Sequence, residues 1–516
     1  MKKYFLFIAA ILILGSSCKK DFLSVNEANP NTASSVPGNL ILPAALSATV
    51  NVMDNPKNWD FVYLWYGIWS ISGGYTINSD LSQYNIRNSS YQNNWDYMYL
   101  AAKSFDDIEK SSTTPQAAIS LAIAKIMKAY IFQNLVDLYG DVPYTEAFKG
   151  SANMKPKYDK QQAIYEDLVV QIDAALAALK AAPADVYVPK ATEDIMYAGD
   201  KAKWIKLGNT LKLRILMHQA DMPGRYDGYI KAKLATISGG YIGTDEGALV
   251  NPGYLNNANQ MNPTYAVFYT ASGANVDGGF NYYKANQDII DFMWAKANYG
   301  DLRVFTLYQP YSGTSLKGNY FGVGSQLSPT ASSSIGTGNI QSFNQSAPII
   351  TDVESLFLQA EAAQRGWIGA VADAKTYYDA ALLASYKYFG LTTTNKWSKA
   401  TGGSGTTDYD TFIKDNAGDP NFDFSAAAAA DKLKLIITQK WVSLSGMAGV
   451  EIWTDYRRTG FPTFIHWSTT TGLKNPTPPI RLLYPQNEIS RNGDNVPAIG
   501  KSAGDLFTAK IFWQTK

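Results

Sequence analysis

The chain of 516 residues is poor in the side chains that carry most protein chemistry: it holds one cysteine and two histidines. A single thiol rules out an internal disulfide and a cysteine metal cluster. With His218 and His466 as the only imidazoles, neither in a recognisable nucleophile setting, hydrolysis by a Ser-His-Asp device is a poor reading as well. Charge of one sign is lacking too. The 45 Lys plus Arg stand against 44 Asp plus Glu for a net charge of +1, without a run of like charge, which argues against nucleic acid as a ligand. Gly322-Val323-Gly324 and Gly402-Gly403-Ser404-Gly405 do not follow a strand and open a helix, so they read as loop glycines, not a phosphate cradle. No cofactor or metal is expected, and beyond the N-terminus no stretch approaches the ~20 apolar residues of a membrane span.

The lone cysteine is placed to matter. Lys2 and Lys3, the apolar run Tyr4 to Leu14, and Gly15-Ser16-Ser17 are the parts of a secretory signal, and Cys18 follows the small residues directly. Residues 1–17 therefore read as a signal peptide and Cys18 as the acceptor of lipid, although Leu14 stands four residues before it where such sites usually have a leucine at three. Each buried lipid methylene adds about 0.8 kcal/mol, so several acyl chains hold firmly. Residues 18–36, rich in Asn, Ser and Pro, read as a lipidated tether leading to a single domain over residues 37–516.

The whole chain is 46% hydrophobic, enough for a large core, and its periodicity is helical. Ile119, Ile123, Ile126 and Tyr130 make a stripe that ends at Gly140 and Pro143. A second helix is predicted from Asp159, as cap with Gln162, through Ile164, Leu168, Ile172, Leu176 and Leu179. Trp204, Leu207, Leu211 and Ile215 mark a third. Thr351 with Glu354 forms a capping box ahead of a helix that pairs with the 370–388 segment after the Arg365-Gly366 turn, and Leu433, Ile437, Lys440, Trp441 and Leu444 mark a last one. Stacked antiparallel pairs of this kind give a mainly α fold with tetratricopeptide-like packing. Residues 238–285, 308–347 and 402–423 read as long loops, and long loops are usually functional.

Aromatic residues are the excess: 34 Tyr, 12 Trp and 22 Phe. Residues 59–95 alone carry Trp59, Tyr63, Trp65, Tyr66, Trp69, Tyr75, Tyr84, Tyr91 and Trp95 beside Asn78, Asp80, Asn85 and Arg87. Rings stack on the C–H faces of sugars while amides and carboxylates meet the hydroxyls, so a glycan is the ligand these residues suit. The candidate contacts are Trp65, Tyr66, Trp69, Tyr75, Asn78 and Asp80, with Tyr283 and Tyr308 from the later loops. The alternative is a glycoside hydrolase, whose two carboxylates would have to come from acids such as Asp60, Asp80 and Asp96, while Asp106, Asp107 and Glu109 read as a solvated helix face.

Several segments together resemble the SusD/RagB family of outer-membrane nutrient-binding lipoproteins, in its second SusD-like subfamily. They are Ser17 to Leu23 with Asn29-Pro30-Asn31, Ala129-Tyr130 through Leu138 to Tyr144, Trp204 to Arg214, Glu354 to Ala362, Glu451 to Gly460, and Arg481 to Pro485. The resemblance implies helix pairs on one side and a loop-rich ligand-binding lobe on the other. It also implies a partner, a TonB-dependent SusC-like β-barrel transporter that receives a glycan or other nutrient from a lipid-anchored protein at the outer membrane, without catalysis. Such motifs are chiefly scaffold, so Asp455, Arg457 and Arg458 read as a buried ion network and not as a site.

Overall fold

The computed structural model of the chain describes residues 36–75, 79–294 and 300–516. The signal peptide, Cys18 and Asn78 of the sequence reading lie outside the described residues.

The body is carried by helices α1 (Gly38–Met53), α2 (Gln92–Ser111), α3 (Ala118–Tyr139), α4 (Gln161–Lys180), α5 (Lys201–His218), α6 (Asp352–Gln364), α7 (Asp373–Tyr388), α8 (Lys432–Ser443) and α9 (Gly449–Thr459). Consecutive helices pack on one another from α1 to α5, α6 pairs with α7, and α6 also meets α8, which is the mainly α, paired-helix architecture the periodicity implied. α3 is buried on almost every side. Among the described residues, the segment Pro115–Tyr139 is the one long and apolar enough to cross a membrane, contrary to the sequence reading, but 83% of its apolar window is buried inside the protein. A helix apolar all round is here the axis of a core.

Local chemistry explains several helix ends. α3 stops at Gly140, whose φ of +80° suits glycine, and Asp200 caps α5 by accepting from the Ala202 and Lys203 amides. Thr351 accepts the Glu354 amide as predicted, but the Glu354 carboxylate turns inward to Arg214, so half of the capping box forms. The predicted Asp159 cap is a correction. Asp159 accepts the Tyr144 and Thr145 amides and thereby braces the turn after α3, while the Gln161 amide at the start of α4 is met by Asp141. The 402–423 stretch is likewise not all loop: Thr407 and Asp410 form a reciprocal capping box that opens a helix at Asp408–Asp415.

Where the helices converge, charges are buried in partnership. Arg214 donates to Glu354 at 3.0 Å, Lys440 reaches Glu451 and Asp455 at 2.6 and 2.8 Å, and Arg458 holds Asp455 and Glu361. Asp455 and Arg458 thus belong to the expected network, whereas Arg457 donates to the backbone carbonyls of Asp137 and Ile480.

The strands are short: β1 (Trp69–Ile71), β2 (Ala248–Val250), β3 (Tyr283–Ala285), β4 (Tyr308–Gln309), β5 (Ser334–Ile335) and β6 (Ala347–Ile350). An antiparallel sheet in the order β1-β3-β5-β4 sets Ile71 opposite Tyr283 and Tyr308 opposite Ile335, and β2 pairs separately with β6. The larger sheet gathers the long loops at one place.

Candidate functional site

Most of the aromatics singled out in the sequence are core. Trp65 ends the short helix Asp60–Trp65, is buried, and donates its indole N–H to the Leu81 carbonyl at 3.1 Å. Tyr66 and Trp69 are buried behind it, with Trp69 tilted against Tyr63 and Tyr283. The Tyr283 hydroxyl donates to Asp60 at 2.7 Å, and the Tyr308 hydroxyl donates to the Ile68 carbonyl at 2.7 Å. Trp65, Trp69, Tyr283 and Tyr308 therefore cannot touch a ligand in this conformation. The reason is geometric: helix 60–65 and β1 aim their large faces inward, and the polar tips of Trp65, Tyr283 and Tyr308 find partners inside.

Two of the predicted contacts are at the surface. Asp80 is half-exposed and accepts from Arg87 and Asn85 at 3.0 and 2.8 Å. Tyr75 is half-buried, donates its hydroxyl to Asp277 at 2.6 Å, and meets the edge of Tyr282 with ring centroids 5.7 Å apart. Beside it stand residues the sequence reading passed over. Tyr282 is half-buried, and Tyr320 is also half-buried, packed 4.5 Å from the His466 ring and donating to Asp291 at 2.7 Å. Neighbouring side chains in a strand alternate in direction, so one of Tyr282 and Tyr283 had to face outward, but the phase is not readable without the pairing to β1.

The loops bearing these rings are tied together through the main chain. Ser72 donates to Tyr282, Gly73 to Leu327, Leu327 to the Asn319 side chain, Thr469 to Gly322, and Lys474 to Gln83. Gly73 is required by this closeness, because a Cβ there would lie 2.3 Å from the Gln326 carbonyl oxygen. Hydrogen bonds from Asn281 and Tyr75 hold the Asp277 carboxyl below the usual range. The bond to Asp291 pushes the Tyr320 phenol up to about 12, so that ring is neutral at neutral pH. Asp288, raised by burial, takes both the backbone N–H and Nδ1 of His466 and so anchors that ring beside Tyr320. Half-exposed rings with carboxylates and amides at their edges can hold a hydroxylated ring without breaking a bond.

The acids named for hydrolysis are otherwise engaged. Asp60 is half-buried with one oxygen on the Tyr91 hydroxyl and the other on Tyr283, and desolvation raises its pKa. Asp80 is paired with Arg87, and Asp96 is exposed on α2. Asp106 and Glu109 are not a solvated face. They bind Lys128, with Lys125 also on Glu109, and so join α2 to α3, whereas Asp107 pairs at the surface with Lys103. Among the described residues no group of three or more His, Cys, Asp or Glu could hold a metal.

The family model described as starch-binding and associating with the outer membrane, the second of the SusD-like families, matches residues 30–485. The chain belongs to the SusD-like family. Solved SusD-like structures share its fold. One, titled a chitin-binding protein, is 24% identical with a TM-score of 0.72, covering 93% of this chain and 99% of its own. A chitin-binding SusD homologue from Flavobacterium johnsoniae is 21% identical with a TM-score of 0.71, covering 92% and 99%. A SusD-like protein from Bacteroides thetaiotaomicron is 22% identical with a TM-score of 0.71, covering 93% and 99%. No curated protein matches the sequence. The SusD-like assignment carries with it carbohydrate binding and association with the outer membrane, as the family's description states.

Proposed function

We propose that this SusD-like protein is a lipid-anchored glycan receptor of the outer membrane that hands its ligand to a TonB-dependent, SusC-like β-barrel transporter and performs no catalysis. The observation that carries the reading is the half-exposed rim of Tyr75, Tyr282 and Tyr320, set beside Asp277 and Asp291 on loops tied together by main-chain bonds. The rings supply stacking faces, and the carboxylates accept from sugar hydroxyls; nothing in the arrangement activates water. Cys18 would hold the receptor at the membrane, and energy for transport would come from the barrel.

Calorimetric titration of the purified mature chain tests this, with maltooligosaccharides drawn from the family's description and chitooligosaccharides from the titles of its structural neighbours, products being analysed in the same samples. Saturable binding without products is expected, weakened more than about ten-fold by Tyr282→Ala with Tyr320→Ala while the melting temperature holds. Released shorter sugars would make it an enzyme. Undiminished binding in the double variant would place the site elsewhere.

A further inference from the structure

α1 ends on a buried carboxyl that has no cation. Asp54, its C-cap residue, is 7% exposed, and among the described residues the groups that act on its carboxyl are Asn262 and Thr264, neither of them charged. Asn262 Nδ2 donates to Asp54 Oδ2 at 3.2 Å, and the Thr264 hydroxyl donates to the Asp54 backbone carbonyl at 2.7 Å. The fully buried Asn262 side chain also accepts the Tyr265 amide, as cap of the short helix Pro263–Phe268, and reaches the Gln345 carbonyl at 3.2 Å. The end of α1 is thereby locked to the start of the segment that leads to the rim. Phenols, not charges, stand around the carboxyl: Tyr63 from helix 60–65, Tyr254 after β2 and Tyr388 at the end of α7 are near enough to feel it. Lys57 acts on Asp60 instead.

From Asn262 to Tyr282 the chain forms a strap. Its near end is sunk in the core through Thr264, Val267 and Phe268, but residues 269–278 are exposed or half-exposed. The far end is held to the rim by Ser72, which donates to the Asn281 and Tyr282 carbonyls, and by Tyr75 on Asp277. A segment with so little buried surface opens locally at low cost. Opening brings water to Asp54. Burial pushes that carboxyl up to about 7, although Asn262 and Thr264 favour its charged form, whereas in water an aspartic acid titrates at about 4. The seated strap therefore holds a proton that the open strap releases. Each pH unit between about 4 and about 7 then favours opening by up to about ten-fold, and above about 7, where both forms are ionised, the dependence stops.

We propose that Asp54 and Asn262 form a proton-controlled joint, which seats the strap, and with it Asp277 and Tyr282 of the rim, under acidic conditions and loosens it towards neutral pH. The glycan reading enters only through those two rim residues; the joint itself needs no ligand.

Hydrogen exchange of the ligand-free mature chain, followed by mass spectrometry between about pH 5 and about pH 8 and corrected for the intrinsic rate of each amide, tests this. The Ala266, Tyr269 and Val276 amides, which donate to the Asn262, Tyr265 and Phe268 carbonyls, report on the strap, and α3 serves as the reference. In the wild type the open fraction of the strap is expected to rise by up to about ten-fold per unit as far as about pH 7 and then to level off, with a smaller change in α3. Asp54→Asn, which keeps the shape and an acceptor for Asn262 but cannot ionise, is expected to give a flat profile. Should it fail to fold, Asp54→Ser takes its place with the same expectation. A flat wild-type profile, an unaltered profile in the neutral variant, or a change in α3 as large as that in the strap overturns the joint. The exchange is read without sugar, so a chain that binds none would count against the rim and leave the joint standing.

Discussion

The indole of Trp65 donates to a buried carbonyl and lies edge-on to Tyr84 at 5.7 Å, and Trp69 packs against three further rings, so truncating either opens a cavity in the core. Trp65→Ala or Trp69→Ala is expected to cost about 3–5 kcal/mol of stability, seen as a lower denaturant midpoint. Loss of sugar binding in a variant whose midpoint had not moved would instead make that ring a contact. His218 gives a second test at this scale. Tyr165 and Asp137 stand at its Nδ1 and Glu451 stands 3.0 Å from its Nε2. Burial pushes its pKa down, but the carboxylates of Glu451 and Asp137 outweigh that and raise it above 6.5. The folded chain thus keeps a proton that the unfolded chain releases near pH 6.5. The resulting stabilisation is full below that pH and is lost as pH climbs through the raised folded value. The stability advantage of wild type over His218→Gln should therefore shrink as pH rises above about 6.5 in urea melts. A constant difference would mean a neutral imidazole.

At the scale of elements, Gly208 sets how closely α5 approaches its neighbours. A Cβ there would come within 2.8 Å of Leu176 on α4 and 3.2 Å of Ile126 on α3. Alanine is the better helix former by about 1 kcal/mol, yet overpacking costs typically ~1–3 kcal/mol. Gly208→Ala is expected to lower the melting temperature, and a rise would show that Leu176 can yield. The helices themselves were legible because Ile119, Ile123 and Ile126 or Trp204, Leu207 and Leu211 repeat along one stripe, a property of the chain alone. Asp159 shows where such reading stops. Its spacing to Gln162 fits a cap, but Asp141, eighteen residues before Asp159 in the chain, is brought to the Gln161 amide by the turn after α3, and Asp159 is left to brace that turn.

For the whole molecule, the proposed lipid anchor at Cys18 gives a further prediction. Cys18→Ala is expected to release the protein from the membrane fraction without changing its sugar affinity, checked by fractionation and by titration of the released chain. Retention in the membrane would mean that the cysteine is not the anchor. Removing sugar affinity together with the anchor would tie the tether to the site.

Composition and order along the chain determined the mainly α body, the absence of thiol and clustered-histidine chemistry, and the SusD-like motifs that the match over residues 30–485 bears out. These are properties of residue identity and local spacing, which a helix expresses within a few turns. Which aromatics face solvent was decided only in three dimensions. Trp65, Trp69 and Tyr283 are the same kinds of residue as Trp467, Tyr282 and Tyr320, and a ring's side is set by pairings between strands and loops that are more than two hundred residues apart, such as Ile71 with Tyr283. The hydrophobic effect drives burial of aromatic surface wherever the fold supplies a neighbour, so the rings left at the rim are those for which the loops supplied none.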